Sequence, residues 1–174
     1  LFQDNWFYIL YFQEPGVAEA EFEADVRKSM RTILAGVAGF DPTAPQVQVR
    51  KKGDKFLTGI NAPEQLPAWL TEEDVEFFAK EFERSGFRGG LNRYRNMDRD
   101  WEELPQLADA KIAQPALFIT GENDPVRAFA PTDAMKPLVP GLKDMIVIPG
   151  AGHWIQQERA AEVNDALLTF LKGL

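Results

Sequence analysis

Apolar residues at Ala18, Phe22, Val26, Met30, Ile33 and Leu34 recur at three- and four-residue steps. That period predicts an amphipathic helix beginning just after the break at Pro15-Gly16. Glu19, Glu21 and Glu23 crowd its start while Arg27, Lys28 and Arg31 lie nearer its end, an order that suits the helix dipole. Residues 36 to 67 hold four glycines and four prolines with little periodicity, which predicts a long irregular stretch. Thr71 with Asp74 three residues on resembles a capping box. Val75, Phe78 and Phe82 then form an apolar stripe that stops near Gly86, and a second short helix is predicted over Leu91 to Met97. Up to residue 103 the pattern gives helices and loops without strands.

Beyond that point the pattern changes. Pro115-Ala116-Leu117-Phe118-Ile119-Thr120 is a short apolar run closed by Gly121, and Met145-Ile146-Val147-Ile148 is another closed by Pro149-Gly150. Both read as buried parallel strands, and a helix expected over Arg127 to Leu138 would join them as a βαβ unit. The tail from Gln156 to Leu171 is predicted helical, with Ala160, Val163, Leu167 and Phe170 on one side. Two adjacent parallel strands do not make a stable sheet alone, so further strands and cover on both faces are expected.

Charge and composition narrow the function. A net charge of −8 argues against a nucleic-acid surface, and the single basic run, Arg50-Lys51-Lys52, reads as a solvated loop. With no cysteine there is neither a disulfide nor a thiol nucleophile, and with His153 as the one histidine no metal site or cofactor is expected. No apolar run nears the ~20 residues of a membrane helix. Leu1-Phe2-Gln3-Asp4-Asn5-Trp6 lacks the basic start of a signal peptide and the chain does not begin with Met, so it reads as a sequence begun in the middle; a cytoplasmic setting is expected.

Two residues carry candidate chemistry. Asp124, in Gly121-Glu122-Asn123-Asp124-Pro125, follows the first strand, and His153, in Gly150-Ala151-Gly152-His153-Trp154, follows the second. Ligand sites of open α/β sheets lie beyond the carboxyl ends of the strands, and parallel neighbours are about 4.8 Å apart. The two side chains can therefore meet there. A carboxylate against an imidazole fixes its tautomer, and acid before histidine is the chain order of α/β-hydrolases. Taken singly, the Asp also fits a turn former and the His an ordinary surface or core residue.

Longer motifs carry a family resemblance. The stretch from Tyr8 to Glu19 (YILYFQEPGVAE) resembles the segment leading into the lid of soluble epoxide hydrolases, and that from Ser85 to Asn96 (SGFRGGLNRYRN) resembles their second lid motif. Gly150 to Trp154 with Gln157-Glu158-Arg159 resembles their histidine loop and final helix. The resemblance implies an α/β-hydrolase-fold fragment, with a helical lid over residues 1–103 and the last two parallel strands and helices of the core over 104–174. It implies that Tyr8 and Tyr94 hydrogen-bond the oxirane oxygen, although Tyr11 lies three residues from Tyr8 and periodicity does not separate them. It also implies a two-step reaction. An Asp opens the epoxide to an alkyl-enzyme ester, and a water activated by His153, which Asp124 orients, hydrolyses the ester to the diol.

The family places its nucleophile and a His-Gly stretch of the oxyanion hole upstream, and the chain has neither that dipeptide nor a Gly-x-Ser-x-Gly elbow. The expected partners are thus a small epoxide, water and an N-terminal half of the same protein, and a homodimer stays open. Residues 1 to 174 alone are expected neither to hydrolyse epoxides nor to fold as an independent compact unit. The competing readings are another lidded α/β-hydrolase, such as a haloalkane dehalogenase or esterase, and a non-catalytic remnant. The tyrosine pair discriminates, since a departing halide does not need it.

Overall fold

A computed structural model describes residues 6–38, 51–128 and 130–174. Residues 1–5, residues 39–50 (with Arg50 and part of the expected irregular stretch) and Phe129 lie outside the described residues. The chain divides into two compact units, Leu1–Gly36 with Pro42–Pro105, and Val37–Asp41 with Gln106–Leu174.

The first unit is helical among its described residues: α1 (Tyr8–Tyr11), α2 (Val17–Glu23), α3 (Val26–Gly36), α4 (Glu72–Ser85), α5 (Arg88–Arg95) and α6 (Met97–Glu103). The helix expected through Ala18 to Leu34 is two helices. Asp25 Oδ1 accepts from Lys28 N at 2.9 Å, starting α3 afresh, and Ser29 Oγ donates to Phe22 O, a carbonyl near the end of α2. The apolar stripe runs on across this break, so Phe22, Met30 and Leu34 are all buried. Likewise the helix expected over Leu91 to Met97 is divided at Asn96 between α5 and α6. The capping box at α4 is present: Asp74 N donates to Thr71 Oγ1 at 3.1 Å and Thr71 N to Asp74 Oδ2 at 2.9 Å.

Aromatic rings fill this unit. Phe12 packs against Phe22, Phe56, Tyr8 and Tyr94, and Phe22 against Phe87. Described residues 52–71 run in turns. They are tied down by polar bonds: Glu21 accepts from Phe56 N and Leu57 N, and Arg31 donates to Pro63 O and Glu64 O.

The second unit is built on β1 (Ala116–Gly121) and β2 (Leu142–Ile148), paired in parallel with Gly121 opposite Ile148. Among the described residues of Arg127 to Leu138 the expected helix does not form. Two 3₁₀ turns, Pro125–Ala128 and Thr132–Met135, take its place. Pro131 and Pro137 each remove an amide donor that a continuous helix would need, which limits the crossover to single turns. The predicted tail helix also divides, at Arg159 (φ −137°, ψ 48°), into α7 (Ile155–Glu158) and α8 (Ala160–Lys172). Ile148, Ala151, Ile155 and Val163 form the core with Ile119 and Ile146 against them. Of the expected apolar side of the tail, Val163 is buried, whereas Ala160 and Leu167 are exposed.

Candidate active site

Both strands of the second unit end in loops that bond to one another. Glu122 N donates to Ile148 O (3.0 Å), Asn123 N to Ala151 O (2.8 Å) and Gly150 N to Glu122 Oε2 (2.9 Å). The backbones approach so closely that a Cβ at Gly121 would overlap the carbonyl oxygens of Ala151 and Gly152. This lacing brings Asp124 and His153 together, with His153 Nδ1 3.0 Å from Asp124 Oδ1. The same carboxylate oxygen accepts from Val126 N at 2.8 Å, which fixes the side chain in an Asx-type turn. A carboxylate in its ionised form can only accept, so this contact suits the tautomer with the proton on Nδ1 and the lone pair on Nε2. Of the two side chains, that of His153 is the more exposed, at 32% against 14% for Asp124.

The histidine loop has further supports. Glu158 accepts from Gly152 N through Oε2 (2.6 Å) and from Trp154 N through Oε1 (2.8 Å), grasping the peptide units on both sides of His153. His153 N donates to Ala38 O at 3.2 Å, and a Cβ on Gly152 would run into that same carbonyl. Sequence reasoning missed Glu158 and Glu122 as supports. For Glu158 there was a signal: a carboxylate at the end of the first turn, four residues after Trp154, can cover amides that a helix start leaves without partners.

In the helical unit, Tyr8 and Tyr94 pack edge to face, ring centroids 5.7 Å apart and planes at 84°. Tyr8 opens α1 and Tyr94 lies in the last turn of α5. The Tyr11 hydroxyl donates to Glu21 Oε2 at 2.8 Å, and burial together with that carboxylate pushes its pKa well above the ordinary phenol range. Tyr11 is thus committed to binding the segment at Phe56. Glu19 and Arg95, also missed, form a pair at 2.7 Å, each side chain nearly buried. The hydrogen bonds from Arg95 hold the Glu19 carboxyl down at about 2. Among the described residues no group of three or more His, Asp or Glu side chains could hold a metal ion, and no helix is long and apolar enough to cross a membrane.

The profile of the Alpha/beta hydrolase family matches residues 15–166. The chain belongs to this family. Among its relatives, Epoxide hydrolase A of Mycobacterium tuberculosis is 45% identical over 174 residues, covering 99% of this chain and 54% of the relative. Epoxide hydrolase 2 of Siraitia grosvenorii is 39% identical over 173 residues, covering 95% and 52%. The crystal structure of Epoxide Hydrolase A from Mycobacterium thermoresistibile superposes with a TM-score of 0.92 at 47% identity, again over 99% of this chain and 54% of that one. The chain therefore spans about half the length of the relatives it matches. Helices in one unit and two parallel strands in the other make this a partial α/β-hydrolase fold with a cap.

Proposed function

We propose that the protein carrying this chain is an epoxide hydrolase that converts an oxirane and water to a vicinal diol. The observation that carries the reading is the Asp124–His153 contact at the ends of two parallel strands, which leaves the imidazole Nε2 as a base. In the first step an aspartate from the rest of the same protein attacks an epoxide carbon and a C–O bond of the ring breaks. The electron pair goes to the ring oxygen, where Tyr8 and Tyr94 donate hydrogen bonds and a proton. In the second step His153 Nε2 takes a proton from water and the hydroxide adds to the ester carbonyl. The acyl–oxygen bond then breaks, the departing alkoxide takes the proton of the carboxylic acid to become the second hydroxyl of the diol, and the imidazolium proton replaces the one the phenols gave up, so carboxylate, base and phenols are all restored. Asp124 holds the tautomer and offsets the imidazolium charge. On this reading residues 1–103 are the lid and 104–174 the carboxy-terminal part of the core. The nucleophile and the remaining strands belong to an N-terminal half. The tyrosine pair favours an epoxide over a halide, because halide departure needs no proton at carbon-bound oxygen.

The test is trapping. In the full-length protein His153→Gln should still form the ester and fail to hydrolyse it. Intact mass after mixing with an epoxide should then show the protein plus one epoxide. A folded variant with neither adduct nor turnover would sink the two-step scheme.

A further inference from the structure

The guanidinium of Arg95 has five N–H donors, and all of them are engaged. Nε donates to Phe12 O at 2.9 Å. One terminal nitrogen donates to Glu19 Oε1 (2.7 Å) and Asn92 Oδ1 (3.2 Å), the other to Glu19 Oε2 (2.9 Å) and Glu14 O (3.3 Å). Arg95 directly follows Tyr94 on α5, while Phe12 and Glu14 belong to the segment running out of α1, where Tyr8 sits. A second tie runs the other way: Gln13 Nε2 donates to Ile9 O at 2.8 Å and Tyr94 O at 3.1 Å. Two short helices with no local link, of four and eight residues, are thus joined through carbonyls of the chain just after Tyr8 and through the carbonyl of Tyr94 itself.

Resting on the reading of Tyr8 and Tyr94 as paired donors, we infer that Arg95 is a positioning residue that sets their relative placement for ring opening, with Glu19 as its ion-pair partner and Gln13 as a second, separate tie. The physical argument is one of tolerance. Two phenols that share a single developing oxyanion must both come within about 3 Å of it. The rings touch each other and Phe12, but ring contacts are broad in angle and do not fix a hydroxyl to that accuracy. Directional bonds to Phe12 O, Glu14 O and Tyr94 O supply what the rings lack. Burial adds to this, because a guanidinium whose side chain is only 11% exposed, paired with a carboxylate at 12%, keeps its geometry out of competition with water. A lysine would keep the charge and lose the planar fork.

The experiment is transient kinetics on the full-length protein with Arg95→Lys, separating ester formation from ester hydrolysis, with thermal unfolding followed alongside. Ring opening should slow by about tenfold or more while ester hydrolysis stays within about twofold, since the tyrosines act only on the first step. An unchanged ring-opening rate, or an equal loss in both steps, would overturn the inference. Should Arg95→Lys fail to fold, Gln13→Met carries the same test with a smaller loss expected, and an unchanged rate again overturns it. The double variant Tyr8→Phe, Tyr94→Phe separates the two levels. If it opens the ring at the normal rate, the donor reading fails and the inference with it. If it is slow while Arg95→Lys is normal, only the inference fails.

Discussion

In the helical unit, Tyr8 and Tyr94 are held by side chains that reach far along the sequence. Arg95 meets Phe12 O across 83 positions and Gln13 meets Tyr94 O across 81. In the strand unit, Asp124 and His153 are held by backbone. Glycines let the loops after β1 and β2 come into direct contact, and the amides beside His153 are taken up by Glu158. The interiors differ as well. Rings of Phe12, Phe22, Phe56 and Phe87 knit the helical unit, whereas the core of the strand unit is Ile148, Ala151, Ile155 and Val163. A helix cannot bring its backbone against another without small residues along both, so long polar side chains must carry the register. Adjacent strand ends are already within bonding range, and there the demand is for the absence of a side chain.

Gly152→Ala should break the strand-unit scheme with the largest effect. The added methyl meets Ala38 O, the acceptor for His153 N, and backbone has no rotamer by which to retreat. A cost of about 3 kcal/mol in stability is expected, with ester hydrolysis slowed more than ester formation in full-length protein. Denaturant unfolding and single-turnover kinetics read the two. A fully stable, fully active variant would mean that the close approach at Gly152 does not hold the histidine.

The difference between the units also governs what was legible in sequence. Both strands were, because Leu117 to Thr120 and Met145 to Ile148 are apolar runs closed by glycine or proline, and the side chains just beyond such ends share one sheet edge. The α4 cap was legible from Thr71 and Asp74 alone. The break at Ala24-Asp25 was hidden, since an apolar stripe with the right period continues straight through it. The absent helix after Asp124 was written in Pro131 and Pro137, against the expectation that a helix joins two parallel strands. Arg95 and Gln13 carry no local sign of their role: their acceptors are carbonyls, which every residue has, at positions that only the tertiary fold brings close.

Glu158→Gln sharpens the comparison at a smaller scale. The amide keeps one acceptor oxygen, so it can satisfy Gly152 N or Trp154 N but not both, and its own N–H groups then face the other donor. Leaving a partly buried amide without its charged acceptor costs about 1–3 kcal/mol. The loop should loosen around His153, slowing ester hydrolysis and lengthening the life of the alkyl-enzyme in a quench-and-mass time course. Ring opening should be unaffected. Equal slowing of both steps would indicate a general loss of fold in place of a role confined to the histidine loop.

Thr71→Ala should have the smallest effect, and its interest is that it stays local. The substitution removes the oxygen that accepts from Asp74 N and the hydroxyl that donates to Asp74 Oδ2, while the bond from Thr71 N to Asp74 Oδ2 survives. Loss of a threonine cap costs about 1 kcal/mol, and Ser, which keeps the oxygen, should recover most of it. The placement of Tyr8 and Tyr94 depends on Arg95, Gln13 and Glu19, none of which bonds to the start of α4. Ring opening by the Ala variant should therefore match wild type under conditions where both are folded, although its unfolding midpoint falls. If ring opening drops along with the midpoint, the helical unit transmits strain from one helix end to the tyrosine pair. The contrast between a unit held by discrete side-chain ties and one held by continuous backbone contact would then have to be redrawn.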